Sequence, residues 1–436
     1  MDVIVGAGPA GRTCALVLGR AGRKVLLIDR KGKKGVGGKC LNEACMVVGA
    51  LVEVARLVAW SRLGIPGVEL SVDVDYRELT RGVKKTLAKI RSKLLREVRD
   101  AGVEVVRGEV DRVEEGPAVR VNGERLEADH VLLATGSVPK VPDVDGVELD
   151  DVVTYRELLD IDLPGEACVV GGGPTALELA FVFAALGSEV TLTYRSQLLP
   201  GYPREVVKEA VRDLKLVGVE VVRGGELREI RETTNGLECE FECGFVVADV
   251  VLLGTGLRPN SEVAARSGIE VGEDGEVVVD DRMRTSMPGV YAAGDVTGPP
   301  YLAPVARYEG LVAALNMLGR DARREHPSIP RVVRLFRDIG RTEVKAAWEG
   351  RREAPAGGSA FWLFARGFEG KLVGRRRGKT SELFTVGPNA SEFLHYAGLV
   401  LDENSGGSEV IEVHPTADPV IHLVKELRLE DLMNRS

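Results

Sequence analysis

The sequence predicts an α/β protein built on two copies of one nucleotide-binding unit. Three observations carry that reading. A glycine-rich turn lies between an apolar strand and a helix at Gly6–Gly11, the same turn recurs at Gly171–Ala176, and each is followed at equal distance by a second apolar strand. The 436 residues suffice for two to four domains with several buried cores.

The first unit runs from Val3-Ile4-Val5 through Gly6-Ala7-Gly8-Pro9-Ala10-Gly11 and a helix to Lys24–Asp29. The second runs from Cys168-Val169-Val170 through Gly171-Gly172-Gly173-Pro174-Thr175-Ala176 and a helix to Glu189–Tyr194. The two align without a gap, placing Gly6 on Gly171 and Asp29 on Tyr194. This is the pattern of a Rossmann-like turn. Its first glycine permits the tight turn, its second lets backbone approach a pyrophosphate, and its third position sets helix–strand packing. The helix N-terminus then faces the phosphates. Asp29 is placed to accept hydrogen bonds from ribose hydroxyls. Tyr194 and Arg195 replace that acid in the second copy. With Ala176 at the third position, they favour NADP(H) over NAD(H) there, because a carboxylate repels a 2′-phosphate and an arginine binds one.

Two further segments fit a flavin site. Val131–Gly136 is a buried strand ending in the small turn Ala134-Thr135-Gly136. Gly289–Asp295 is a strand whose Gly294-Asp295 end can approach a ribityl chain or a phosphate. Leu252–Asn260, with Gly256, resembles the first of these, as the repeat demands.

Cys40 and Cys45 follow Gly37-Gly38 in the first fifth of the chain. A close cysteine pair in a reducing compartment points to redox chemistry rather than to a structural disulfide. Cys239 and Cys243 alternate along a strand of the second unit, so both are expected on one side, as structural residues or at most a thermophile disulfide. Cys14 and Cys168 belong to a helix and a strand core. No Cys/His spacing supports a metal site, so no metal is expected.

The formal net charge of −8 gives no general affinity for nucleic acid or anionic membranes. The basic runs Arg30–Lys34 and Arg375–Lys379 read as solvated loops. No secretory leader and no apolar run long enough to span a membrane are expected, which makes a cytoplasmic enzyme the simplest class. Gln197 is the single glutamine among abundant charged residues, a skew found in thermophile proteins.

On these residues the chain resembles, over essentially its whole length, the pyridine nucleotide–disulfide oxidoreductases of the dihydrolipoamide dehydrogenase, glutathione reductase and mercuric reductase group. Gly37–Cys45 is similar to the family's Gly-Gly-Thr-Cys-Leu-Asn-x-Gly-Cys, with Lys39 in place of threonine. Ala293-Gly294-Asp295 matches its second FAD motif, Leu302–Gly310 the helix that follows, and His414-Pro415-Thr416 the signature of its dimerisation domain.

The resemblance implies an FAD-binding domain over 1–140 and 265–320, an NAD(P)-binding domain over 141–264, and a C-terminal α+β dimerisation domain over 325–436. It implies that FAD is held by Gly6, Gly8, Pro9, Ala10 and Gly11, by Asp29 and Arg30, and by Gly38, Lys39 and Cys40. Ala134, Thr135, Gly136, Gly294, Asp295, Leu302 and Ala303 complete that set. NAD(P) falls to Gly171, Gly173, Pro174, Thr175, Ala176, Glu178, Tyr194, Arg195 and Gly256. Cys45 becomes the thiol on the flavin side and Cys40 the outer thiol that exchanges with substrate. His414 is the acid and base, reaching across a homodimer, and the substrate is a small thiol or disulfide or a lipoyl protein. Within the last domain, Gly350–Gly358 reads as a surface loop and Asn404–Ser408 as a turn.

Three positions depart from the family pattern. Gly49 replaces a lysine four residues after the second cysteine, which leaves its usual partner Glu178 as half of a pair. Burial would raise the Glu178 pKa or push the side chain toward solvent. Pro174 replaces a tyrosine that often covers the nicotinamide pocket. Pro419 stands where the family has the glutamate that orients the histidine, and Asp418, one residue earlier, is the substitute. Loss of an oriented base slows thiol exchange by about 10²–10⁴, which favours small or activated acceptors. Two rival readings remain: an NAD(P)H oxidase or quinone reductase with an idle cysteine pair, and a non-catalytic FAD-binding subunit of a larger complex.

Overall fold

The computed structural model describes residues 1–65, 67–325, 329–344, 351–356, 370–377, 380–387 and 394. The first glycine turn lies in a parallel five-stranded sheet ordered Val290–Ala292, His130–Leu133, Asp2–Val5, Val25–Asp29, Glu104–Arg107. The central strand Asp2–Val5 is buried throughout, as expected where helices and strands cover both faces. One face packs on the helices Pro9–Arg20 and Ala303–Met317. The other packs on the antiparallel strands Val110–Glu114, Ala118–Val121 and Glu124–Glu127.

The second turn repeats the design. Its sheet is ordered Glu220–Val222, Glu189–Thr193, Glu166–Val170, Val250–Leu253, Val152–Val153, all parallel. The helix Pro174–Leu186 is apolar nearly all round and buried between this sheet and the helix Cys45–Ser61. The antiparallel strands Leu227–Thr233, Gly236–Phe241 and Gly244–Ala248 cover the opposite face. The short strands Ser137–Pro139 and Leu257–Pro259, leaving the two repeats at matching points, pair antiparallel.

A third, antiparallel sheet is ordered Arg331–Arg334, Asp338–Val344, Thr380–Gly387, Gly370–Arg377, Arg351–Ala356. It is tied to the second unit by a buried ion pair. The Arg337 guanidinium lies 2.6 Å from Asp213 and 2.9 Å from Glu209, and its backbone N–H donates to Asp213 at 2.8 Å.

Four expectations change. Arg351–Ala356 is a strand, not a loop, because its backbone groups pair with Gly370–Arg377. Arg375 lies on the latter strand, paired with the buried Glu382 at 2.7 Å, rather than in a solvated loop. Cys239 is buried and hydrogen-bonded to Cys168, whereas Cys243 is exposed in the turn beyond the strand end, so the two do not share a face. Finally, Gly38–Ser61 is long and apolar enough by composition to cross a membrane. It is, however, two helices interrupted at Glu43–Ala44, and the inner face of the second packs into the largest core. Asn404–Ser408 lies outside the described residues.

Candidate functional site

A cavity of about 390 Å³ opens at the C-terminal end of the first sheet. Gly6, Gly8, Pro9, Ala10, Asp29 and Arg30 line it from the first unit. Gly38, Lys39, Cys40 and Cys45 line it from the two helices that follow, Ala134, Thr135 and Gly136 from the next strand end, and Gly294, Asp295 and Ala303 from the last. Gly11 and Leu302 support the wall without lining it. A Cβ on Gly11 would stand 2.0 Å from the Gly6 carbonyl oxygen, and Leu302 begins the helix Ala303–Met317.

The wall is shaped for close approach of a dinucleotide. Gly6 has φ +102°, and a Cβ there would lie 2.3 Å from the Ala134 carbonyl oxygen. Gly38 has φ +60°, and its Cβ would lie 2.6 Å from the Gly8 Cα. Bare backbone from two turns thus meets where a pyrophosphate would rest, beside the N-terminus of the helix Pro9–Arg20. The Asp29 carboxylate is fixed by N–H groups of Ala7 at 3.1 Å and Lys31 at 2.8 Å.

A polar cluster lies beside the thiols. The Lys39 ammonium donates to Asp295 at 2.8 Å and to Ser137 at 2.5 Å, and the Ser137 hydroxyl donates to Asp295 at 2.7 Å. Buried Glu309 accepts the Gly294 N–H at 2.8 Å and so holds the turn that presents Asp295. The loop between the cysteines is pinned as well. Asn42 donates to the Gly38 carbonyl at 2.8 Å and accepts from Arg91 at 2.8 Å, and Glu43 pairs with Lys31 at 2.5 Å and Arg156 at 3.3 Å.

Cys40 and Cys45 are free thiols that hydrogen-bond to each other. The bond received from Cys40, helped by the Lys39 charge and opposed by burial, brings Cys45 down to about 7. The same bond and burial push Cys40 well up. Cys45, the more exposed of the two thiols, is therefore the one that ionises first in the reduced pair. Glu178 is half-buried and its pKa is raised to about 7, chiefly by burial. Burial thus acts on it as expected, while it accepts the Arg334 main-chain N–H at 2.9 Å and feels the charges of Arg334 and Arg56.

In the second unit a Cβ on Gly171, at φ +145°, would lie 2.3 Å from the Gly254 carbonyl oxygen, and one on Gly254 would lie 2.7 Å from the Ala176 Cβ. Ala176 therefore sits at the helix–strand contact. Among the described residues nothing crowds Gly173, and Pro174 is exposed at the first turn of the helix, which Thr175 continues. Gly256 turns the chain at φ +107°. Tyr194 follows the strand Glu189–Thr193, and exposed Arg195 pairs with Glu226 at 3.4 Å. His414 and Asp418 lie outside the described residues. Sequence reasoning missed Ser137, Glu309, Arg156 and Arg334. Glu309 carried a signal, since it lies within the Leu302–Gly310 motif, while the others lie in segments with no motif.

Residues 2–310 match the pyridine nucleotide-disulphide oxidoreductase family. The chain is 32% identical to a dihydrolipoyl dehydrogenase of Thermus scotoductus, over 95% of this chain and 94% of that one. It is 31% identical to a mercuric reductase of Lysinibacillus sphaericus over 73% of this chain and 59% of that one. In fold it is similar to the HOCl-induced flavoprotein disulfide reductase RclA from Escherichia coli, with TM-score 0.84, 22% identity, and 98% and 99% of the two chains covered. It is equally similar to LpdA from Mycobacterium tuberculosis, with TM-score 0.84, 24% identity and the same coverage.

Proposed function

Because the chain belongs to the pyridine nucleotide-disulphide oxidoreductase family and is an FAD-dependent oxidoreductase of that kind, we propose that Cys40 and Cys45 carry two electrons from NADPH to a small disulfide or a lipoyl group. NADPH, a proton and the Cys40–Cys45 disulfide give NADP⁺ and two thiols. Exchange with the substrate disulfide then returns the pair to its oxidised form and releases two substrate thiols. FAD, when bound, supplies the hydride acceptor that links the nicotinamide to the disulfide.

The observation that carries this reading is the convergence of the thiol pair, the Lys39–Asp295 pair and the first glycine turn on one cavity. The Gly6–Gly11 turn and Gly38 would hold the FAD pyrophosphate, Asp29 the ribose, and Asp295 with Lys39 the chain leading to the ring. Cys45, with the lowered pKa, is the thiol on the flavin side, and Cys40 is the outer thiol that substrate meets. The FAD-binding part comprises 1–140 and 265–320, the nicotinamide-binding part 141–264, and 325–436 forms the interface of a homodimer. His414, with Asp418 four residues on in the sequence, acts as the base for exchange across that interface. NADP(H) is the favoured donor because exposed Arg195 stands beyond Tyr194 where the first copy has its acid. We place the enzyme in the cytoplasm.

Cys40→Ser tests the proposal. It should abolish NADPH-dependent turnover of lipoamide or an aromatic disulfide while leaving quinone reduction in place. Disulfide turnover that survives the change would overturn it.

A further inference from the structure

We propose that Arg334, delivered from the C-terminal sheet into the space left by Gly49, is the cation that favours ionisation of Glu178 beside Cys45. The inference rests on the dithiol reading above and adds a residue from a different part of the fold.

The geometry begins with Gly49. It lies one turn beyond Cys45, inside the helix Cys45–Ser61, where glycine costs about 1 kcal/mol relative to alanine. A Cβ there would stand 3.2 Å from the Arg334 guanidinium, which among the described residues is the one atom outside its own helix backbone and its chain neighbours within 4 Å. The missing side chain is therefore matched by a cation entering from far along the chain. Arg334 ends the strand Arg331–Arg334, and its backbone N–H donates to Glu178 at 2.9 Å. One residue thus supplies Glu178 with a hydrogen bond from its main chain and a charge from its side chain.

The main chain that carries the exposed Arg334 side chain is held from two sides. Arg56, two turns along the same helix from Gly49, donates to the Leu335 carbonyl at 2.6 Å and pairs with Asp338 at 2.5 Å. Arg337 is locked into the buried pair with Asp213. The turn from 334 to 338 is thereby bolted both to the cysteine helix and to the helix Arg204–Leu216.

The charges that meet Glu178 are Arg334 and Arg56, which favour its ionised form, and Cys45, which opposes it. Tyr202 also faces it and feels its charge. A Cys45 thiolate and a Glu178 carboxylate close together repel, and both ionise near neutrality. A nearby cation lets the two negative charges coexist. Without it, Glu178 would remain protonated when Cys45 ionises.

The test reads the ionisation of Glu178 on fully reduced protein without nicotinamide, so it does not depend on turnover. Thermal stability is followed against pH in wild type, Arg334→Met, Arg334→Lys and Gly49→Lys/Arg334→Met. Arg334→Met should shift the Glu178 titration upward by up to about one pH unit, since the main-chain N–H stays and only the charge of an exposed side chain is removed. Arg334→Lys should hold it near the wild-type position, and Gly49→Lys should restore it in the Arg334→Met protein. In a Glu178→Gln background Arg334→Met should leave the profile unchanged. A titration unmoved by Arg334→Met, or moved equally by Arg334→Lys, would overturn the inference. Failure of the dithiol reading would instead appear as disulfide turnover surviving Cys40→Ser.

Discussion

Replacing Cys40 with alanine should raise the Cys45 thiol by two pH units or more. In the native protein the hydrogen bond from Cys40 is the largest influence holding Cys45 near 7 against an ordinary 9.0, while burial works the other way. Cys40→Ala removes that bond and leaves the burial, so Cys45 returns to its ordinary value or above it. Near neutral pH the thiolate fraction falls by roughly thirty-fold. The more basic thiolate is about eightfold more nucleophilic, so an alkylation rate at one pH drops by only about fourfold. The decisive reading is therefore the pH midpoint. Reduced protein is alkylated with iodoacetamide across a pH series, and the Cys45 peptide is quantified by mass to separate it from exposed Cys243. Lys39→Met should give a smaller upward shift, since its charge is a lesser influence than the hydrogen bond. A midpoint that stays in place in Cys40→Ala would refute the assignment of Cys45 as the activated thiol.

The raised Glu178 pKa carries a sign for stability. The folded protein holds this proton more tightly than the unfolded chain. The contribution is full below the ordinary 4.5 and is lost as pH rises through about 7. Its upper limit is about 3 kcal/mol, reduced by the solvent access that a half-buried side chain keeps; Glu178→Gln should flatten that limb in thermal unfolding. Asp213→Ala removes the buried carboxylate paired with the Arg337 guanidinium and should cost about 3–5 kcal/mol. The double change Asp213→Leu/Arg337→Leu should cost much less, as read by denaturant unfolding. Gly11→Ala drives a methyl group against the Gly6 carbonyl and should yield protein without bound flavin by absorbance. Gly82→Ala, in the open middle of the helix Tyr76–Asp100, should bind flavin normally and gain up to about 1 kcal/mol.

The sequence revealed the parts of the site set by local backbone geometry. Gly6, Gly38 and Gly171 have positive φ and lie against backbone, so their pattern is written into the chain wherever the turn is used. The strand–turn–helix–strand spacing fixed both parallel sheets, because apolar runs such as Val3-Ile4-Val5 and Val169-Val170 are buried on two faces. The cysteine pair was legible from its spacing after Gly37-Gly38. Arg334 was not, because its role depends on where the third sheet docks on the cysteine helix, and no local pattern encodes docking. The departure at Gly49 was visible, but the sequence alone showed a missing lysine rather than space for a different cation. The strand Arg351–Ala356 was hidden by its proline, glycine-flanked ends and charges, a composition that edge strands tolerate. Cys239 and Cys243 were misjudged because the strand ends at Phe241, and alternation stops where the turn begins.

The most direct measurement is thiol mapping after reduction by the nicotinamide. Oxidised, FAD-loaded protein is given one equivalent of NADPH without oxygen, then alkylated and digested. The account predicts that Cys40 and Cys45 are protected beforehand and both labelled afterwards, with buried Cys14, Cys168 and Cys239 unlabelled throughout. NADPH consumed with no new label at Cys40 or Cys45 would contradict it.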